Sequence, residues 1–231
     1  MVKFRKLLGE EGVEELLAQT INVAVELQLI STQELRRVIV DSTVQSKAIA
    51  HPTNSRLLET ARRKLVAAAK EAGIALKQTF AKEGQELARK AGRYAHARQF
   101  KRMRRTIKRQ RTLLGRLGRE LERKAALLGV AVREALSETL DKATRIQRQT
   151  AQRKVIPGQP KLYTWHAPEA ECINKGKARP YEFGVKVSLA STWRGNLIVG
   201  ARAFHGNPYD GHTLREQQTG ILIQDITTAP E

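Results

Sequence analysis

The sequence predicts an α+β chain in which one β-strand is separated from a later β-hairpin by a long, strongly basic helical stretch. Three observations carry this expectation. RVIVDSTV at 37–44 is short, apolar and rich in β-branched residues, the composition of a strand. From Arg56 to about Gln152, apolar residues recur at three- and four-residue steps, the spacing of a helix face. After Pro160 the period falls to two: YEFGVKVSLAST (181–192) and NLIVGARAF (196–204) meet through the turn Trp193-Arg194-Gly195-Asn196, a hairpin pattern.

Ahead of the first strand, residues 10–29 place Val13, Leu16, Leu17, Thr20, Ala24 and Leu27 at helical spacing. Glu10, Glu11, Glu14 and Glu15 occupy the first turns, where the helix macrodipole favours negative charge. Ser31 or Thr32 followed by Glu34 and Leu35 reads as a short capped turn into the strand. Val38, Ile39 and Val40 then read as a buried strand that carries Asp41 directly after them into burial, where a charge is expensive unless compensated. HPTNS at 51–55 is a stop and restart: Pro52 ends the strand, and Thr53, Asn54 or Ser55 caps a helix.

The helical stretch is expected to break near Gly73 and at Gly84, giving two or three antiparallel helices, with Gly129 as a further candidate break. Leu114, Leu117 and Leu121, then Leu128, Val132, Leu136 and Leu140, form one apolar stripe suited to coiled-coil pairing. VIPGQP at 155–160 is the clearest linker, GNPYDGH at 206–212 a loop, and TLREQQTGILI at 213–223 a closing helix. The organisation predicted is 1–52 for the first helix and strand, 53–154 for the basic helices, and 155–231 for the hairpin, loop and following helix.

Charge narrows the function. The 231 residues carry a net +19, and nearly all of it is local. Residues 61–156 hold 27 Lys or Arg against 8 Asp or Glu, whereas 1–60 hold 7 against 8 and 157–231 hold 8 against 7. Such an excess favours a polyanion, nucleic acid before an anionic membrane surface. No apolar run approaches the roughly 18 residues of a membrane span. MVKFRKLLGEEG has neither a signal-peptide core nor a cleavage site, and the lone Cys172 cannot form an internal disulfide, so a reducing cytoplasm is the expected location.

Between Arg93 and Lys124 there are 13 basic residues and 2 acids. With Met103, Ile107, Leu114 and Leu117 turned inward, the expected DNA-binding set is Arg98, Lys101, Arg102, Arg104, Arg105, Lys108, Arg109, Arg111 and Arg116. A merely solvated helix face would interleave acids with these cations. Tyr94, His96 and Phe100 read as packing residues beside the block rather than as base-stacking groups.

Asp41 reads either as a strand-end cap or ion-pair partner, or as one member of a metal-binding carboxylate set. The other acids near strand ends are Glu169, Glu171, Glu182 and Asp210. His166, Glu169, Glu171 and Cys172 cluster in sequence, but without the second His/Cys group that zinc needs. No P-loop, dinucleotide glycine pattern or nucleophile elbow is present.

VIVDSTVQSKAIAHPTNSRLL, GRYAHARQFKRMRRTIKRQRTLLGRL, YTWHAPEAECINKGKARPYEFGVKVSLAST and GNPYDGHTL occur in this order over nearly the whole chain. Together they resemble the DDE transposases of bacterial insertion sequences. That resemblance implies an incomplete ribonuclease-H-like sheet, split by the basic helices inserted between its first two strands. It implies Asp41 as the first catalytic acid and ligand of Mg²⁺ or Mn²⁺, and transposon-end duplex DNA as partner. By the same resemblance Asp210, in the loop ahead of that region, is not the second catalytic aspartate, and it stays only a secondary metal candidate.

The family's second aspartate, before a Gly-Tyr pair, and its later glutamate have no match here. DNA binding without strand cleavage is therefore expected, from a chain truncated at both ends. An open sheet edge beside Val38–Val44 is expected too, with marginal stability, aggregation or homodimerisation as its consequence. The rival readings are a self-contained basic helical nucleic-acid-binding protein, or a small nuclease using Asp41, Asp210 and a nearby Glu.

Overall fold

The computed structural model describes residues 2–152, 160–174 and 181–219. In chain order the elements are α1 (Val2–Glu26), α2 (Thr32–Leu35), β1 (Val38–Ser46), α3 (Asn54–Glu71), α4 (Ala81–His96), α5 (Phe100–Leu128), α6 (Val130–Ala151), β2 (Glu171–Asn174), β3 (Tyr181–Thr192), β4 (Ile198–Phe204) and α7 (Asp210–Thr219). This is an α+β chain with a small antiparallel sheet. It divides into two compact units, Ala48–Ala170, and Met1–Lys47 with Glu171–Glu231. Residues 153–159, including most of the VIPGQP linker, and 220–223 of the closing helix lie outside the described residues.

The continuous unit is a four-helix arrangement of α3 to α6, where two or three helices were expected. Thr53 caps α3 by accepting the Arg56 amide at 3.3 Å, so the HPTNS restart is as read. The breaks fall at Gly73 (φ +67°), at residues 97–99, and at Gly129 (φ +108°). Gly84 breaks nothing. It lies buried inside α4, and a Cβ there would stand 2.5 Å from Arg62 Nε and from Glu59 Oε2. The glycine lets α4 close onto a buried ion pair, in which Arg62 donates to both carboxylate oxygens of Glu59 and to the Thr79 carbonyl.

Leu57, Leu58, Leu65, Leu114, Leu117 and Leu121 form the centre of this unit's core, joined by Leu136, Ile146 and, from the segment after residue 160, Leu162. The inward set of α5 is as expected, with Leu114 and Leu117 buried and Met103 and Ile107 half-buried. Leu128 is 56% exposed, so the apolar stripe is interrupted at the α5–α6 corner. Gln110 is buried and satisfied by Ser55, whose hydroxyl donates to Gln110 Oε1 at 2.8 Å.

In the other unit, β3 is the central strand. It pairs antiparallel with β1 along one side and with β2 and then β4 along the other. The hairpin is as read, and β2, a four-residue strand, was not anticipated. Its turn is fastened by Leu197 N donating to Thr192 Oγ1 at 3.1 Å and Trp193 N to the Arg37 carbonyl at 3.2 Å, with the Arg37 guanidinium 4.7 Å above the Trp193 ring.

The short capped turn α2 forms with Ser31 as its cap. α1 differs from expectation. It begins at Val2, kinks at Gly9, and buries Ile21 and Ala24 with Leu17 beside them, whereas Val13, Leu16 and Leu27 are 46%, 52% and 65% exposed. The Leu17–Ile21–Ala24 stripe, with Val25 beside it, joins the cluster that holds the sheet's core residues Ala190 and Val199.

Candidate functional site

The basic face of α5 follows from its leucine face. Thr106, Gln110, Leu113, Leu117 and Leu121 take the buried side, so the cations between them are driven outward. Lys101, Arg102, Arg104, Arg105, Lys108 and Arg116 are exposed on α5, and Arg98 is exposed in the turn before it. Among the described residues none of these seven forms an ion pair. Arg102 donates only to the Gln99 side chain, at 3.0 Å.

The remaining two of the expected nine have structural partners. Arg109 forks onto Glu83 of α4 at 2.6 and 3.1 Å, and this hydrogen-bonded carboxylate raises its already high pKa. Arg111 is half-buried and donates to the Thr150 carbonyl of α6. His96 and Phe100 are exposed rather than packed, Phe100 at 52%, while Tyr94 is half-buried. Sequence reasoning passed over Arg119, Arg123 and Arg133, which line a cleft of about 430 Å³ on α5 and α6. The spacing of four between Arg119 and Arg123 on α5, in a stretch already counted as basic, was the available signal; Arg133 of α6 carried none.

Asp41 stands in the sheet unit, and the expectation of a buried carboxylate is overturned. Val38 and Val40 face the core and Asp41 shares the exposed side of β1 with Ile39. Its Oδ1 accepts the Ser42 amide at 2.8 Å. The charge is therefore hydrated and capped by its own backbone, and no desolvation has to be offset.

Asp210 opens α7, where the helix N-terminus suits an anion. It accepts the Ser42 hydroxyl at 2.7 Å and pairs with the buried Lys186 of β3. Asp41 and Asp210 thus line one cleft, about 660 Å³, with Ser42, Asn174, Lys186 and Asn207 among its other walls. Lys186 was not foreseen, although a lone lysine in an otherwise apolar alternating strand was a usable sign.

A pair of Mg²⁺ or Mn²⁺ ions about 4 Å apart requires two or three convergent carboxylates. The described residues do not complete such a set: the cation at Asp210 is an ammonium group, and no three His, Cys, Asp or Glu side chains gather as metal ligands. Glu171 and Glu182 sit on neighbouring strands β2 and β3, and Glu171 and Cys172 are strand residues of β2. Glu169 and His166 belong to the helical unit.

No family model and no solved structure matches the chain. A protein of Rhizobium meliloti, described as the uncharacterized protein ORF8 in nfe locus, is 47% identical over 100 residues, 43% of this chain and 48% of that relative. The chain spans about half the length of the curated relative it matches.

Proposed function

We propose that the chain binds double-stranded DNA through α5, as part of a transposase of the insertion-sequence DDE type. The observation that carries the reading is the row of seven exposed cations, Arg98 to Arg116, without ion-pair partners among the described residues. Each phosphate such a row neutralises releases counterions.

The quoted motifs support the transposase part. So does the sheet, where β1 pairs antiparallel with β3 and β3 with β4, the neighbours that a ribonuclease-H-like reading assigns to its first three strands. Asp41 on β1 then occupies the place of the first catalytic acid. β1 forms one edge of the described sheet, which supports a homodimer through strand pairing.

Duplex affinity measured against salt tests the reading. Replacing Lys101, Arg104, Arg105 and Lys108 together by Ala should lower the slope of log affinity against log salt by about 3 to 4, near 0.9 per lost phosphate contact. Asp41→Asn should leave binding unchanged. A slope that survives the fourfold variant removes α5 as the interface.

The self-contained binding protein remains the second reading, favoured by the helical unit's own core. Nicking of supercoiled DNA with Mg²⁺ or Mn²⁺, abolished by Asp41→Asn, would exclude it.

A further inference from the structure

A cleft of about 640 Å³ opens between α3, α4 and the first turns of α5, within the helical unit. Its volume falls in the range of small-molecule sites. Ala88 and Ala95 of α4, with Met103 and Ile107 of α5, supply apolar walls. Arg56, Arg63 and Arg89 stand exposed along it. Its one carboxylate, Glu59, is consumed by Arg62 in a bidentate pair. Arg63 and Arg89 form no ion pair among the described residues, and Arg56 reaches only the His51 carbonyl at 3.5 Å. The cleft is apolar within and cationic along its margin.

Gly92 adds an independent sign. It lies in the interior of α4, where glycine is the poorest helix former after proline. Gly84, on the same helix, is explained by the Arg62 and Glu59 atoms a Cβ would strike. At Gly92 a Cβ would meet nothing within 4 Å. Packing within the chain does not require that glycine, and the space it leaves belongs to the cleft.

We propose that this cleft receives one unstacked nucleotide, its base against the Ala88–Ala95 wall over Gly92 and its phosphate at Arg63 and Arg89. Guanidinium forks suit phosphate oxygens. The methyl-lined wall accepts the face of any base without reading its sequence, and Asn54 and Thr60 are at hand for a base edge. A base inside a duplex stack cannot enter, so the ligand is a single-stranded or extruded nucleotide. The inference rests on the nucleic-acid reading of α5 for its expected source, a DNA strand, because a free mononucleotide offers the same chemistry.

The test uses the full chain and three probes: a single strand carrying one 2-aminopurine, the same strand fully paired, and 2-aminopurine nucleoside monophosphate. 2-Aminopurine emission should rise on binding of the single strand. Gly92→Leu should abolish that rise and weaken single-strand binding about tenfold, the scale of one lost base contact, while duplex affinity stays within about twofold. Arg63→Ala with Arg89→Ala should weaken the single strand similarly, and Gly92→Ala with thermal unfolding controls for the fold.

An undiminished rise in Gly92→Leu overturns the proposal and leaves duplex binding by α5 untouched. A monophosphate signal lost in Gly92→Leu, in a chain that binds no duplex, upholds the cleft as a free-nucleotide site and sinks the α5 reading instead.

Discussion

Arg98 holds φ +55°, the left-handed region in which an L side chain crowds its own carbonyl. It ends α4 in the manner usually left to glycine: Arg98 N bonds the Ala95 carbonyl at 3.1 Å and Gln99 N the Tyr94 carbonyl at 2.8 Å. The conformation costs roughly 1–2 kcal/mol relative to glycine, and the Arg98 side chain stands exposed. Arg98→Gly should raise unfolding free energy by about 1 kcal/mol in urea titrations and lower the DNA salt slope by about 1. Stabilisation with an unchanged slope would remove Arg98 from the interface. At this scale residue identity was legible and environment was not. Asp41 was visible in VIVDST, but its exposure depended on β1 lying at the edge with Val38 and Val40 turned inward. Lys186 as the partner of Asp210 depended on a fold that brings the 205–210 loop over β3.

Elements were read well where chemistry punctuates them and poorly where packing decides. Thr53 after Pro52, Ser31 before Glu34, and the alternation on either side of Gly195 each carry their own mechanism, and all three boundaries hold. Gly84 misled because glycine marks both chain breaks and close approaches, and only the buried Arg62–Glu59 pair shows which. β2 was missed because four residues carry too little periodicity.

The joint between the α3–α4 connection and α5 yields a pH prediction. Glu120 of α5 accepts Lys124 Nζ and the Lys77 amide, each at 2.8 Å, and Lys124 also reaches the Ala75 carbonyl. The Lys124 hydrogen bond first, then the Lys77 amide, hold the Glu120 pKa below the ordinary 4.5. A carboxyl with a lowered folded-state pKa binds protons more readily when unfolded. Its contribution is therefore complete above pH 4.5 and lost as the pH falls through the lowered value. Glu120→Gln should reduce the urea midpoint at pH 7 and converge with the parent as the pH falls through that lowered value, flattening the acid limb.

Across the whole chain, the described buried clusters differ in size. Fourteen apolar residues form the cluster of the helical unit and six that of the sheet unit. Protection follows buried apolar contact, so amides around Leu58, Leu117 and Leu121 should exchange at least about tenfold more slowly than those around Ile21 and Val199. Equal protection would mean that the two units open together. Composition made the division legible, since the charge excess and the helical period both belong to the middle of the chain.

The order of the elements also sets a timetable for synthesis. β1 is complete at Ser46 and its partner β3 begins at Tyr181, so about 130 residues separate them. At roughly 5–20 residues per second a ribosome takes on the order of 10 s to supply that partner. During this interval the helical unit emerges entire and can fold beside the tunnel exit, while Val38, Ile39 and Val40 wait as an unpaired nascent strand. Of the two units, the sheet unit is thus the later to close, because its first strand waits for partners encoded after the helices.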